Sequence, residues 1–253
     1  MSQSNPMSHF VIPALVSAAM LSAPNAFAGK AEIMVPEESF DFGYTPQDAK
    51  VTHVFWIKNT GDDTLFIQDV KPGCGCTKAP LKKTELASLD STDVEVIFST
   101  GHYSTRTTKS ARILSNAGNV APTLMIMSHP MKDLDSLELF SLDPPRLNLD
   151  ESRSADGDGP MKFDVRINNK SSEPYALKLV SFPAMPELKI ELPSGAISPG
   201  SEETISITLD GSLSSEIFTK SFTFEATDAL QTRYTFPIEK KMRWGPTPVS
   251  SSR

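Results

Sequence analysis

The sequence predicts an all-β chain, two tandem antiparallel β-sandwiches following an export signal. Three observations carry this. Aromatic and β-branched residues fall in short alternating runs separated by turn residues, with 20 prolines and no sustained helical period. A set of segments recurs in order about 110 residues further on. Residues 1–28 contain no Lys, Arg, Asp or Glu.

That uncharged start has an apolar run from Phe10 to Leu21 and closes on Ala26-Phe27-Ala28. It has the short apolar region and small-residue cleavage site of a secretory signal, although the usual basic residue near the start is missing. The run is too short for a bilayer, which takes about 20 apolar residues. No cysteine follows the cleavage site to carry a lipid, and no later segment is apolar enough to span a membrane. The expected location is therefore periplasmic or secreted, where disulfides persist.

A net charge of −7 with no basic run offers no footprint for nucleic acid. The length beyond the signal suits two domains of about 100 residues. Phe55-Trp56-Ile57-Lys58-Asn59 matches Val165-Arg166-Ile167-Asn168-Asn169 at an offset of 110. Val94 to Phe98 matches Ile205 to Leu209 at 111, and Thr108-Lys109-Ser110 recurs as Thr219-Lys220-Ser221, again at 111. The expected organisation is a signal at 1–28, a first domain at 29–134, a second at 137–242 and a disordered tail at 243–253.

Within the first copy, Val51, His53, Phe55 and Ile57 share one strand face, while Thr52, Val54, Trp56 and Lys58 share the other. Asn59 to Asp63 is a turn, Leu65 to Ile67 a strand, and Val94 to Phe98 and Lys109 to Leu114 two more. Asn116 to Asn119 is a turn before Leu124 to Met127 closes the copy. Short strands at this spacing form a sandwich. In the second copy Met161, Phe163, Val165 and Ile167 form the inward face, and Tyr175, Leu177 and Leu179 the next. Asp150 to Gly159 is a polar insertion, and Lys132 to Leu137 a linker.

Phe40-Asp41-Phe42-Gly43, then His53-x-Phe55-x-Ile57-x-Asn59-Thr60-Gly61, Leu65-x-Ile67 and Gly73-Cys74-Gly75-Cys76-Thr77 occur in the order and spacing of a bacterial family. Over residues 38–130 the chain resembles the exported domain-of-unknown-function family 1573, relatives of the ASPM/SPD-2/Hydin domain. The resemblance implies an immunoglobulin-like fold and export, and no agreed activity. The chain departs from the family at one turn: members usually carry Pro-Gly before the strand that begins here near Thr92, where this chain has Leu89-Asp90-Ser91.

Cys74 and Cys76 are the only cysteines. Three readings stand: a local disulfide, a metal or redox site, or two passive thiols. Two residues apart in an extended strand, their Cα atoms would sit about 6.6–6.8 Å apart, the upper edge of the bridging range. Gly75 allows a bend that would bring them closer. So short a loop restricts the unfolded chain little, by roughly 1.6 kcal/mol, so stabilisation does not explain the pair. Met125, Met127 and His129 alternate on one strand face, and thioether, imidazole and thiolate ligands suit Cu(I). Methionines spaced by two also pack as ordinary strand residues. Cys-Gly-Cys is not the Cys-x-x-Cys that opens a helix in thioredoxin-like enzymes.

No nucleophile elbow, phosphate loop, zinc-protease helix or dinucleotide fingerprint occurs, so no catalytic residue is assigned and no enzyme activity expected. Asp156-Gly157-Asp158-Gly159 lacks the remaining ligands of a calcium loop. The expected function is a non-catalytic exported module that binds a protein or envelope component. Trp56, on the outer strand face, is the candidate anchor.

Overall fold

The computed structural model describes residues 1, 29–150, 160–183, 185–210 and 217–241. The expected signal, the polar segment from residue 151, Ala184 and the tail lie outside the described residues.

The first sandwich contains β1 (Ile33–Met34), β2 (Ser39–Pro46), β3 (Lys50–Asn59), β4 (Leu65–Pro72), β5 (Thr77–Lys78), β6 (Glu85–Leu86), β7 (Ser91–Ser99), β8 (Thr107–Ser115) and β9 (Thr123–Met131). A single 3-10 turn, Leu134–Ser136, leads into the second. That one contains β10 (Phe140–Asp143), β11 (Leu147–Asn148), β12 (Met161–Asn169), β13 (Leu177–Ser181), β14 (Leu188–Glu191), β15 (Glu202–Leu209), β16 (Phe218–Ala226) and β17 (Arg233–Lys240). Each sandwich has its own apolar core, one drawn from Ala31 to Ile126, the other from Phe140 to Ile238. The described residues form an all-β fold of two β-sandwiches.

The inward faces follow the period of two. Val51, His53, Phe55 and Ile57 are buried on β3, and Val165 and Ile167 on β12. Phe163 is only partly buried, because its end of β12 lies at the rim of the second core. The repeat extends to a buried polar pivot. Asn59 Nδ2 donates to the carbonyls of Asp63, Leu86 and Ala87, and Asn169 Nδ2 to those of Glu173 and Ile197. Each asparagine thus satisfies loop carbonyls that the end of its strand would leave bare.

Two features depart from a simple pair of antiparallel sandwiches. Each copy has a four-stranded sheet of its own, β1-β3-β7-β5 and β10-β12-β15-β14, but the opposing sheets are one. It runs β13-β16-β17-β2-β9-β8-β4-β6, with β11 beside β17, and β2 joins its neighbours β9 and β17 in parallel. The physical reason is close approach. Gly43 (φ 64°) lies where an added Cβ would sit 2.2 Å from the Arg233 carbonyl oxygen, so only glycine lets β2 meet β17.

The second feature is the burial of Thr52, which the alternation places on the outer face. The second sandwich covers it. Thr52 N–H donates to Ser221 Oγ (2.8 Å), Ser221 Oγ donates to Thr52 C=O (3.0 Å), and Ser221 N–H donates to Thr52 Oγ1 (3.2 Å). Beside them Lys220 Nζ reaches both oxygens of Glu95 at 2.7 Å, in a largely buried pair. Thr235 Oγ1 donates to the Phe42 carbonyl (2.6 Å), and Arg146 donates to the carbonyls of Asp48 (2.9 Å) and Gln47 (2.7 Å).

The turn before β7 shows what the missing Pro-Gly does. Leu89 takes a left-handed conformation (φ 64°), and its N–H donates to the Asn59 carbonyl (3.1 Å). In the second copy Gly200 does the same with φ 68° and a 2.7 Å bond to the Asn169 carbonyl. A left-handed residue with a Cβ costs about 1–2 kcal/mol, and glycine returns part of that through unfolded-chain entropy. Leu89→Gly is expected to stabilise the protein by about 1 kcal/mol, read as a higher urea midpoint at unchanged slope. A lower midpoint would refute the strain.

Candidate functional site

Cys74 and Cys76 form a disulfide across the turn from β4 to β5. Their Cα atoms are 5.3 Å apart, less than an extended strand gives, because the segment is a turn in which Thr77 N–H donates to the Cys74 carbonyl (3.3 Å). Gly75 is not sterically required, since a Cβ there would meet nothing within 4 Å. Ser99 N–H donates to the Cys76 carbonyl (2.8 Å), and Cys76 packs on the edge of the first core. Tyr103 places its hydroxyl 3.9 Å from Cys76 Sγ, and Lys109 Nζ lies 4.4 Å from the centre of the Tyr103 ring.

The methionine face lies elsewhere. Met125, Met127 and His129 share the outer face of β9, opposite the buried Leu124, Ile126 and Ser128. Their neighbours are Ser110 and Thr108 on β8 and Asp41 and Tyr44 on β2. Arg106 pairs with Asp41 (2.6 Å) and touches Met127 Sδ (3.9 Å), and the His129 ring lies 5.1 Å from that of Tyr44. This face belongs to β9, whereas the cysteines lie in the turn that links β4 of the shared sheet to β5 of the other. Among the described residues no cluster of three or more His, Cys, Asp or Glu is placed to hold a metal.

Trp56 is 52% exposed. It lines a cleft of about 410 Å³ with Pro36, Glu37, Val54 and Lys58. Pro36 and Glu37 join the cleft from outside the alternating segment that marks Trp56. The available signal was the proline itself, which ends a strand because it cannot donate to a ladder.

Behind the cleft lies His53, 7% exposed and stacked on Phe40 at 3.6 Å between ring centroids. Its Nδ1 is 2.9 Å from Ser181 Oγ of the second sandwich and its Nε2 is 3.3 Å from Glu37. Burial, aided by the positive Arg233, lowers its pKa to about 4. Burial also raises the Glu37 carboxyl, against a lowering by Arg233. His53 is thus a neutral hydrogen-bonding member of the contact between sandwiches.

Residues 33–129, the body of the first sandwich, match the family described as Protein of unknown function (DUF1573). The resemblance carried by the Phe40–Gly43 and Gly73–Thr77 segments holds there. No curated protein matches the chain. Among solved structures, a protein of unknown function from Porphyromonas gingivalis W83 is similar at 14% identity, with 82% of this chain and 99% of that chain covered and a TM-score of 0.34. The ASH / PapD-like domain of human CEP192 is similar at 10% identity, covering 49% and 99%, with a TM-score of 0.34. The Pseudomonas aeruginosa CupB2 chaperone is similar at 11% identity, covering 81% and 98%, with a TM-score of 0.29. At these scores the likenesses carry no argument about what this chain does. No helix among the described residues is long and apolar enough to cross a membrane.

Two expectations follow. The unfolded chain takes up the His53 proton near pH 6.5, the folded chain only near 4, so stability is full above about 6.5 and falls as pH drops between those values. Between pH 7 and 5.5 the His53 share of this loss is about 1 kcal/mol, and His53→Phe, the residue at the matching position of the second copy, should remove it in paired urea melts. Separately, Cys74→Ser/Cys76→Ser should lower stability by only about 1–2 kcal/mol, because a three-residue loop constrains the unfolded chain little. Loss of the folded state in that double variant would overturn this.

Proposed function

We propose that the protein is an exported, non-catalytic binding module, periplasmic or secreted, that engages a protein or envelope component through the cleft beside Trp56. The observation that carries this reading is the exposed Trp56 indole at the mouth of a preformed cleft, with an acid (Glu37) and a base (Lys58) at its rim. A large aromatic ring left in solvent beside an apolar wall is a typical anchor at a protein interface. The uncharged, apolar N-terminal segment and the disulfide support export.

The second sandwich serves as a brace. It fixes β3 from one side through Ser221 and Lys220, so the Trp56 strand reaches a partner pre-ordered. The expected outcome is that cross-linking in envelope extract captures a defined partner with the wild-type chain and with Trp56→Phe. Trp56→Ala should lower capture at least tenfold while leaving the melting curve unchanged. Equal capture by Trp56→Ala would remove the cleft from the function.

A further inference from the structure

The cleft beside Trp56 is also a break in a sheet edge. β3 pairs with β7 along its length, but on its other side β1 reaches it only at Lys58 and Asn59. Asn59 exchanges bonds with Leu89 and Asp90 on the β7 side, and the Ala49 carbonyl accepts from Thr100 on that side too. Odd-numbered residues of β3 therefore turn their N–H and C=O toward β7. Even-numbered residues turn theirs the other way, as antiparallel alternation requires. Thr60 accordingly donates to the Glu32 carbonyl (2.9 Å), and Thr52 gives both main-chain groups to Ser221.

Val54 and Trp56 lie between those two ends. Their N–H and C=O groups face the gap, and among the described residues no strand is paired there. The cause is in the sequence. Extending the Met34↔Lys58 register puts Pro36 opposite Trp56, and Pro36 has no N–H to give. The chain bends there and crosses to the opposite sheet as β2.

We infer that this notch binds an extended peptide segment of a partner protein by strand addition, with an apolar–Lys/Arg–apolar core. The inference rests on the binding role proposed above and specifies its partner. Two partner residues, i and i+2, meet Val54 and Trp56 through four main-chain hydrogen bonds. Their side chains lie on the Trp56 face, which selects apolar residues. The residue between them points to the His53 side of the strand, where Glu37, which stands at the edge and also borders the Trp56 cleft, has its side chain 55% exposed and meets the His53 ring. That carboxylate complements a Lys or Arg. The notch is closed by β1 at one end and by the second sandwich at the other. A protruding or free-ended strand fits between them, whereas the same recessed edge of a second copy does not.

The test is selection of a random heptapeptide library on the purified protein, followed by anisotropy with the enriched peptides. The expected result is enrichment of the apolar–Lys/Arg–apolar pattern, with Val54 and Trp56 amides protected from exchange on binding. Val54→Pro removes one open-side donor without touching the β7 ladder, and should weaken binding at least tenfold with the melting curve retained. N-methylation of the peptide at either apolar position deletes the same class of bond from the partner's side, and serves if that variant fails to fold. Binding that survives both changes overturns strand addition, and a loss then seen only with Trp56→Ala leaves the binding role standing. Failure to enrich any such peptide overturns the inference, while the cross-linking result decides the binding role by itself.

Discussion

Ser221 occupies a place on β3 that a neighbouring strand would otherwise take. Its hydroxyl and amide satisfy the main chain and side chain of Thr52, and the rest of the molecule is arranged around that contact. The second sandwich is held there by Lys220 on Glu95 and by the β2–β17 junction at Gly43. With the edge of β3 covered at Thr52, His53 is buried against Ser181. The same contact ends the open stretch of β3 on one side, as Pro36 does on the other. On this side of β3, among the described residues, only Val54 and Trp56 lie between the two covered ends, and so short an open stretch limits uncontrolled edge pairing.

The disulfide is local by comparison. It closes a turn at the rim of the first core, and the second sandwich forms the same architecture without cysteines. Its surroundings are a tyrosine hydroxyl and a lysine over that ring, and the methionine face belongs to β9. The sulfurs are the conspicuous feature of the sequence, and the binding role proposed for the Trp56 cleft does not draw on them.

Much of this architecture is legible in the residues. The alternation from Val51 to Lys58 gives the buried and open faces of β3, and the 110-residue offset finds the partner asparagines Asn59 and Asn169 that pin the same turn twice. Leu89 could be read as standing in a glycine's place, and its φ of 64° shows the strain that follows. Trp56 was readable as an outer-face residue. Its neighbours Pro36 and Glu37 were not, because they reach the cleft from a chain segment some 20 residues away, where no local period marks them.

The strands, their inward faces and the turn chemistry are written into the chain, since each depends on residues within a few positions of one another, and the duplication shows as the same local patterns met twice. The tertiary structure decided how the copies dock, that β2 joins a sheet shared by both, that Thr52 is buried and that His53 is held neutral. These depend on contacts between residues more than 100 positions apart, such as Thr52 with Ser221 and Gly43 with Arg233, whose spacing no periodicity encodes. The open edge at Val54 and Trp56 belongs to both. Pro36 writes one end of it into the chain, and the docking of the second sandwich supplies the other.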